Sequence, residues 1–254
     1  MKNKKTSSKQ NALISGASKR IGRAIALSLA DRGYGIAVHY HNSKDEAVRL
    51  CREIEGKHGN AWPLRADLGK PQGPQRLIDQ AMERCGALSV LVNNASIFPP
   101  STLDEVTLQD FMENMVVNAW APFCLSRAFM KSAKKGAIIN ILDARCVGED
   151  PSHVAYSLSK NALEAITRLC AAQFAPDIRV NGVAPGLILP PAGKDISYLE
   201  KLKARVPLQK YGDPQDIADA VVFLVKNRFI TGEILHVDGG RHQLGSTHYE
   251  NQSS

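Results

Sequence analysis

The stretch Ala12-Leu13-Ile14-Ser15-Gly16-Ala17-Ser18-Lys19-Arg20-Ile21-Gly22 decides how the rest of the chain is read. Ala12–Ser15 is a short apolar strand, and a glycine-containing turn follows at once. A helical pattern then runs from about Arg20 to Arg32, with Ile21, Ile25, Leu27 and Leu29 mostly inward. Backbone amides at the N-terminus of such a helix can hold a pyrophosphate. A glycine turn alone says little. Placed after the first strand of an α/β pattern, it marks the phosphate-binding start of a dinucleotide fold.

Working outward, strand-like runs alternate with helical ones. Strands are expected at Gly35–Tyr40, Ala61–Arg65, Leu88–Val92, Ala137–Leu142, Ile178–Val183 and Glu233–Val237. Helices are expected over about 43–58, 73–85, 107–134, a stretch carrying Tyr156 and Lys160, and 213–226. This alternation predicts an α/β fold with one parallel, doubly wound sheet of the Rossmann type. Ligands should then collect at the carboxyl ends of the strands. No repeat and no linker divides the chain, so residues 11–243 read as one domain, between a basic, disordered tail (1–10) and a polar tail (244–254).

The 254 residues are 44% hydrophobic, ample for a full core, and no run approaches a membrane span. The start, MKNKKTSSKQ, lacks the apolar stretch of a signal peptide. Cys51, Cys85, Cys124, Cys146 and Cys170 are scattered and read as reduced thiols of a cytoplasmic protein. Histidine spacing fits no ligand motif, so no catalytic metal is expected. A net charge of +7 raises nucleic acid as a partner, but the basic residues are dispersed, and an anionic small molecule explains them equally well.

The end of the second strand, His39-Tyr40-His41-Asn42-Ser43, has no acid before Asp45, while Lys19 and Arg20 lie in the neighbouring turn. An acid there would bind a ribose 2′-hydroxyl and repel a 2′-phosphate, so its absence, with Lys19, Arg20 and His39 near enough for a charge-assisted contact to that phosphate, favours NADP(H). Asp67 and Leu68 follow the third strand, well placed to touch an adenine edge. Asn93-Asn94-Ala95-Ser96-Ile97-Phe98 follows the fourth; Phe98 reads as a stacking wall for a flat ligand, or as packing under the loop. Asn118 falls in mid-helix, where asparagine needs a reason. Leu187–Ser197, rich in proline and glycine, reads as a mobile lid.

Tyr156 and Lys160 stand one helical turn apart on one face. An ammonium near a phenol favours phenolate and suits proton transfer. That spacing is common by chance and takes its weight from the motifs upstream. Asp143 precedes the pair; it reads either as an acid feeding protons to Tyr156 or as the partner of a salt bridge to Arg145.

From about Ala12 to Arg241 the chain resembles the short-chain dehydrogenase/reductases. The likeness rests on the Gly16–Gly22 loop, Asn93-Asn94-Ala95, Asn118, Tyr156-Ser157-Leu158-Ser159-Lys160, Pro185-Gly186 and Asp238-Gly239-Gly240. Asp143 stands where that family carries its catalytic serine, and Arg20 where it carries the middle glycine of the first loop. Both departures are similar to the pteridine reductases and the bacterial dihydromonapterin/dihydrofolate reductases. That resemblance implies NADPH reducing a dihydropterin C=N bond, in a homotetramer without nucleic-acid or membrane partners. It implies catalytic roles for Asp143, Tyr156, Lys160 and Asn118, with Asn118 anchoring a water beside Lys160. Cofactor contacts would come from Gly16, Lys19, Arg20, Ile21, His39, Tyr40, His41, Asn42, Ser43, Asp67, Leu68, Asn94, Ala95, Ser96, Tyr156, Lys160, Pro185, Gly186 and Leu187. Substrate contacts would come from Arg20, Ser96, Phe98, Asp143, Tyr156, Gly186 and Leu189. The rival readings are a carbonyl reductase of the 3-oxoacyl or sugar type, and a cofactor-binding regulatory or nucleic-acid-binding protein without turnover.

Overall fold

A computed structural model describes residues 10–146, 151–191 and 193–244. The expected tails, apart from Gln10 and Leu244, and the loop at Gly148–Asp150 lie outside the described residues. Strands β1 (Asn11–Ile14), β2 (Gly35–Tyr40), β3 (Ala61–Arg65), β4 (Leu88–Asn93), β5 (Gly136–Ile141), β6 (Ile178–Pro185) and β7 (Ile234–Val237) form one sheet. Their order is β3-β2-β1-β4-β5-β6-β7 and every pairing is parallel. The order reverses between β1 and β4, and the crevice of a doubly wound fold opens at such a switch point.

β1 and β2 are buried along their whole length, as expected of strands covered on both faces. Alternation divides their side chains: Ala12 and Ile14 enter one core layer, Leu13 the other. Helices α1 (Arg20–Ala30), α2 (Lys44–Gly56) and α8 (Pro214–Lys226) cover the first face. Helices α3 (Gly73–Cys85), α5 (Ala121–Ser132) and α6 (Val154–Phe174) cover the second, around the fully buried Phe129. In α1 the buried stripe holds Ile25 and Leu29, with Ile21 and Leu27 packed at its margin. Helix α7 (Ser197–Leu202) is short and packs Leu199 against Leu187 and Val206.

Two expectations are corrected. The helix over 107–134 is not continuous. α4 (Leu108–Met115), capped by a reciprocal Thr107–Asp110 box, runs into one widened turn, Val116–Trp120, before α5 begins. Pro122 supplies the reason. It has no N–H to offer the carbonyl of Asn118 four residues earlier, and its ring crowds that carbonyl. The turn widens, and Ala121 N–H bonds back five residues to Val116 O. The second correction concerns the lid. Leu187 and Ile188 are buried, and Gly212 N–H donates to Leu187 O at 2.9 Å, so the root of that segment is packed in place.

No helix among the described residues is long and apolar enough to cross a membrane. Cys51, Cys85, Cys124 and Cys170 are free thiols, and burial pushes Cys51 up to about 12 and Cys85 and Cys170 up to about 11. Such thiols stay protonated and inert at neutral pH.

Candidate active site at the carboxyl edge of the sheet

A cavity of about 1070 Å³ opens at the switch point, room enough for a dinucleotide and a second small ligand. Its floor is the β1–α1 turn. Asn94 clamps this turn, donating through Nδ2 to the carbonyls of Ser15 and Gly16, both at 3.0 Å. Ser15 Oγ returns the contact by accepting from the backbone N–H groups of Asn94 and Ala95 at 2.9 and 3.0 Å. Gly22 lets helix and turn close up: a Cβ there would stand 2.3 Å from Gly16 O and 2.6 Å from Asn94 Nδ2. Arg20 holds a left-handed backbone (φ 55°), a conformation unusual for a residue with a side chain, and its Nη2 donates to Pro190 O at 2.7 Å.

His39 does not present a charge to this cavity, and its expected place among the cations around a 2′-phosphate is withdrawn. The ring is 2% exposed; Nδ1 accepts from Gly16 N–H at 3.0 Å and Nε2 stands 3.2 Å from Ala66 O. Those partners fit only the neutral ring with its proton on Nε2. Burial pushes its pKa down to about 4, with the neighbouring His41 adding to the shift and the Ala66 bond opposing it. His39 is a spacer tying β2 to the first turn. The polar groups beside it are Lys19, paired with Glu46 at 2.9 Å, and His41, 3.7 Å from Asp67, each about half exposed.

On the opposite wall α6 carries Tyr156 and Lys160, both buried. Lys160 Nζ donates to Ile141 O at 2.8 Å and stands 5.6 Å from the Tyr156 ring centre. Tyr156 OH donates to Asp143 Oδ2 at 2.8 Å. Arg145 grips the same carboxylate from the other side: Nε to Oδ1 and Nη2 to Oδ2, each 3.2 Å, and its backbone N–H to Oδ1 at 2.8 Å. Burial alone would raise the Asp143 pKa. The Arg145 charge and hydrogen bonds, with the Tyr156 hydroxyl, outweigh it and hold the carboxyl below its usual range. Both readings of Asp143 therefore meet in one geometry: it touches Tyr156 and it is salt-bridged to Arg145. As an ionised group it is an acceptor, which corrects the expectation that it donates a proton.

Phe98 stands at the edge of this group, its ring 3.8 Å from His153 in a stacked arrangement and 4.6 Å edge-on from Tyr156. The Arg145 guanidinium lies 4.7 Å from its centre. Asn118 is fully buried behind the wall. Oδ1 accepts from Ile97 N–H at 2.9 Å and Ser96 OH at 3.0 Å, and Nδ2 donates to Ile97 O and Ser159 Oγ at 3.0 Å. Its amide pins the Ser96–Phe98 loop to α6 and does not reach the cavity.

Gly16, Lys19, Arg20, Ile21, His39, Tyr40, His41, Asn42, Ser43, Asp67, Leu68, Asn94, Ala95, Ser96, Phe98, Asp143, Tyr156, Lys160, Pro185, Gly186 and Leu189 all line the one cavity. Two expected residues stand outside its wall: Asn118, and Leu187, which packs with Leu199 and Val206. Met112, Glu113, Val116 and Val117, spaced as one helical face, also line the cavity and went unread. Among the described residues no group of three His, Cys, Asp or Glu side chains could hold a metal ion.

A doubly wound sheet with a glycine cradle at its switch point and a buried Tyr/Lys pair defines a class, and the chain belongs to the short-chain dehydrogenase/reductase family. The family model described as enoyl-(acyl carrier protein) reductase matches residues 16–242. Among particular relatives, the 3-oxoacyl-[acyl-carrier-protein] reductase FabG of Staphylococcus epidermidis is 33% identical over 239 residues, covering 91% of this chain and 98% of that one. FolM alternative dihydrofolate reductase 1 from Brucella suis, solved in complex with NADP, has a TM-score of 0.88 at 33% identity, over 92% of this chain and 95% of that one. A blue fluorescent protein from a metagenomic library, solved with NADPH, has a TM-score of 0.85 at 37% identity, over 91% and 97%.

Proposed function

We propose that this chain is an NADPH-dependent reductase of a dihydropterin, yielding the tetrahydropterin. One observation carries the reading: at the position facing Tyr156 stands a carboxylate, 2.8 Å from its hydroxyl, and not a hydroxyl side chain. A serine would donate a hydrogen bond to a substrate carbonyl oxygen; an ionised carboxylate cannot, and would repel the oxyanion that ketone reduction develops. A C=N bond develops its charge on nitrogen and needs a proton there.

The cradle at Gly16–Gly22 fits a pyrophosphate, Lys19, His41, Asn42 and Ser43 fit a 2′-phosphate, and Lys160 fits a ribose. NADPH supplies the hydride, which passes to the C=N carbon. Tyr156 gives a proton to the nitrogen and regains one from solvent, so each turnover consumes one NADPH and one proton. Lys160 steadies the phenolate left behind, Asp143 orients the hydroxyl, and Phe98, Arg20, Ser96 and Leu189, which line the cavity, would bound the space beside a bound nicotinamide. The fold relatives named dihydrofolate reductases support this reading. The relatives named 3-oxoacyl reductases favour a second, ketone reduction on a thioester. NADPH oxidation measured across dihydropterins, dihydrofolate and a β-ketoacyl thioester separates them. Turnover of the thioester with none of the dihydropterins would sink the proposal.

A further inference from the structure

Arg145 is a charged group on the cavity wall, beside the reacting side chains, for which the proposed function has no task. It is held close to the chemistry: its fork and its backbone N–H give Asp143 three contacts of 3.2, 3.2 and 2.8 Å, and its guanidinium lies 4.7 Å from the Phe98 ring centre and 5.8 Å from that of Tyr156. Both members of the pair are largely buried, with side-chain exposures of 23% and 13%. The pairing is local, since the chain only turns once, through Ala144–Cys146, between the two.

We infer that Arg145 is a positioning residue of this site, holding Asp143 as a permanent acceptor for the Tyr156 hydroxyl so that the proton delivered to substrate leaves from Tyr156. The inference rests on the reductase reading for its chemistry, but not on which substrate is reduced. A carboxyl buried beside a phenol has two ways to settle. Without a cation it keeps a proton and becomes a donor, competing with Tyr156 for the same role. With a guanidinium on its far side it stays anionic, receives the Tyr156 O–H, and disfavours loss of that proton to solvent. The other groups facing it leave this balance to Arg145. Lys160 Nζ is committed to Ile141 O at 2.8 Å. His153 lies beyond Phe98, against its ring. The 241–244 turn, which packs on the 144–146 turn, brings Arg241 and a His242 engaged with Asp238 at 2.8 Å. Tyr156 thus keeps its hydroxyl proton directed at Asp143, with Lys160 beside its ring.

The test uses the full-length protein with NADP⁺ bound and carboxyl-¹³C aspartate, the Asp143 signal being the one lost in Asp143→Asn. In the wild type that carboxyl should titrate below the ordinary aspartate range. In Arg145→Met its midpoint should rise by about 1–3 pH units, the scale of losing an adjacent opposite charge. Arg145→Lys should retain most of the wild-type value. A new ionisation should enter the pH profile of kcat in Arg145→Met and vanish in the Asp143→Asn/Arg145→Met double variant. If Arg145→Met does not fold, Arg145→Gln keeps two N–H donors without the charge and should show the same shift. An Asp143 signal that titrates alike in wild type and Arg145→Gln, or a wild-type carboxyl found protonated at neutral pH, would overturn the inference. The carboxyl titration needs no turnover, so an enzyme inactive on every dihydropterin but with a shifted Asp143 would sink the substrate reading alone.

Discussion

At the scale of single residues, two side chains at the first turn, one within it and one reaching it from β2, lead to opposite stability effects. His39 is neutral in the fold, with its pKa pushed from 6.5 down to about 4. A depressed pKa favours the deprotonated form in the folded state, so its contribution is complete above pH 6.5 and is lost as pH falls toward 4. Urea unfolding should show a loss of about 3 kcal/mol over that window. His39→Gln should lose correspondingly less; parallel slopes would show that His39 is charged when folded. Arg20 works the other way. Its left-handed backbone costs about 1–2 kcal/mol, so Arg20→Gly should unfold at the same or a higher temperature while its KM for NADPH rises several-fold. A clearly less stable variant would show that the bond to Pro190 outweighs the strain. Arg20 was legible because it breaks a glycine pattern. His39 was legible as a position and misread as a charge, since burial is a property of the packed strand and not of the residue.

At the scale of elements, the widened turn Val116–Trp120 interrupts the helix between α4 and α5, and Met112, Val116 and Val117 around it line the cavity. The Asn118 side chain sits in that turn and ties it to the loop before Phe98 and to Ser159 on α6. Removing it leaves the part-buried Ile97 N–H and C=O without their side-chain partner, at up to about 1–3 kcal/mol each. Asn118→Ala should therefore lower thermal stability and cut kcat tenfold or more with little change in NADPH affinity. Unaltered stability with lost activity would instead restore the water-anchoring role. The strands and most helix limits were legible from period and punctuation. The break was not, although its signal, a proline four residues after Asn118, was there to be read as a lost N–H.

For the whole molecule, the cavity bridges the β1–β3 half of the sheet and the β4–β6 half, so a bound dinucleotide ties together segments distant in the chain. A ligand that binds only the folded state raises its stability in proportion to the logarithm of ligand excess. With Lys19 and His41 beside the second strand and no acid there, NADPH should raise the melting temperature more than equimolar NADH. It should also give at least about tenfold higher kcat/KM, the worth of one charge-assisted contact. Equal shifts would place the selectivity elsewhere. Almost the whole cavity lining was legible because a doubly wound sheet brings its strand ends together whatever their sequence separation. Which lining side chains pair with one another, as Asp143 does with Arg145, is decided by rotamers and distances that period and motif do not carry.

The Asp143–Arg145 pair also constrains the order in which such a site can be assembled from one with a serine. An arginine arriving first, beside a serine, keeps its guanidinium partly in water and costs little. An aspartate arriving first must either carry a buried charge without its counter-ion or keep its proton, a loss of up to about 3–5 kcal/mol. The passable route runs through the arginine. Two variants of this chain reproduce the two halfway points: Asp143→Ser should melt near the wild type, and Arg145→Met well below it at neutral pH. If their order were reversed, the carboxylate would have been the founding change and the arginine its later repair.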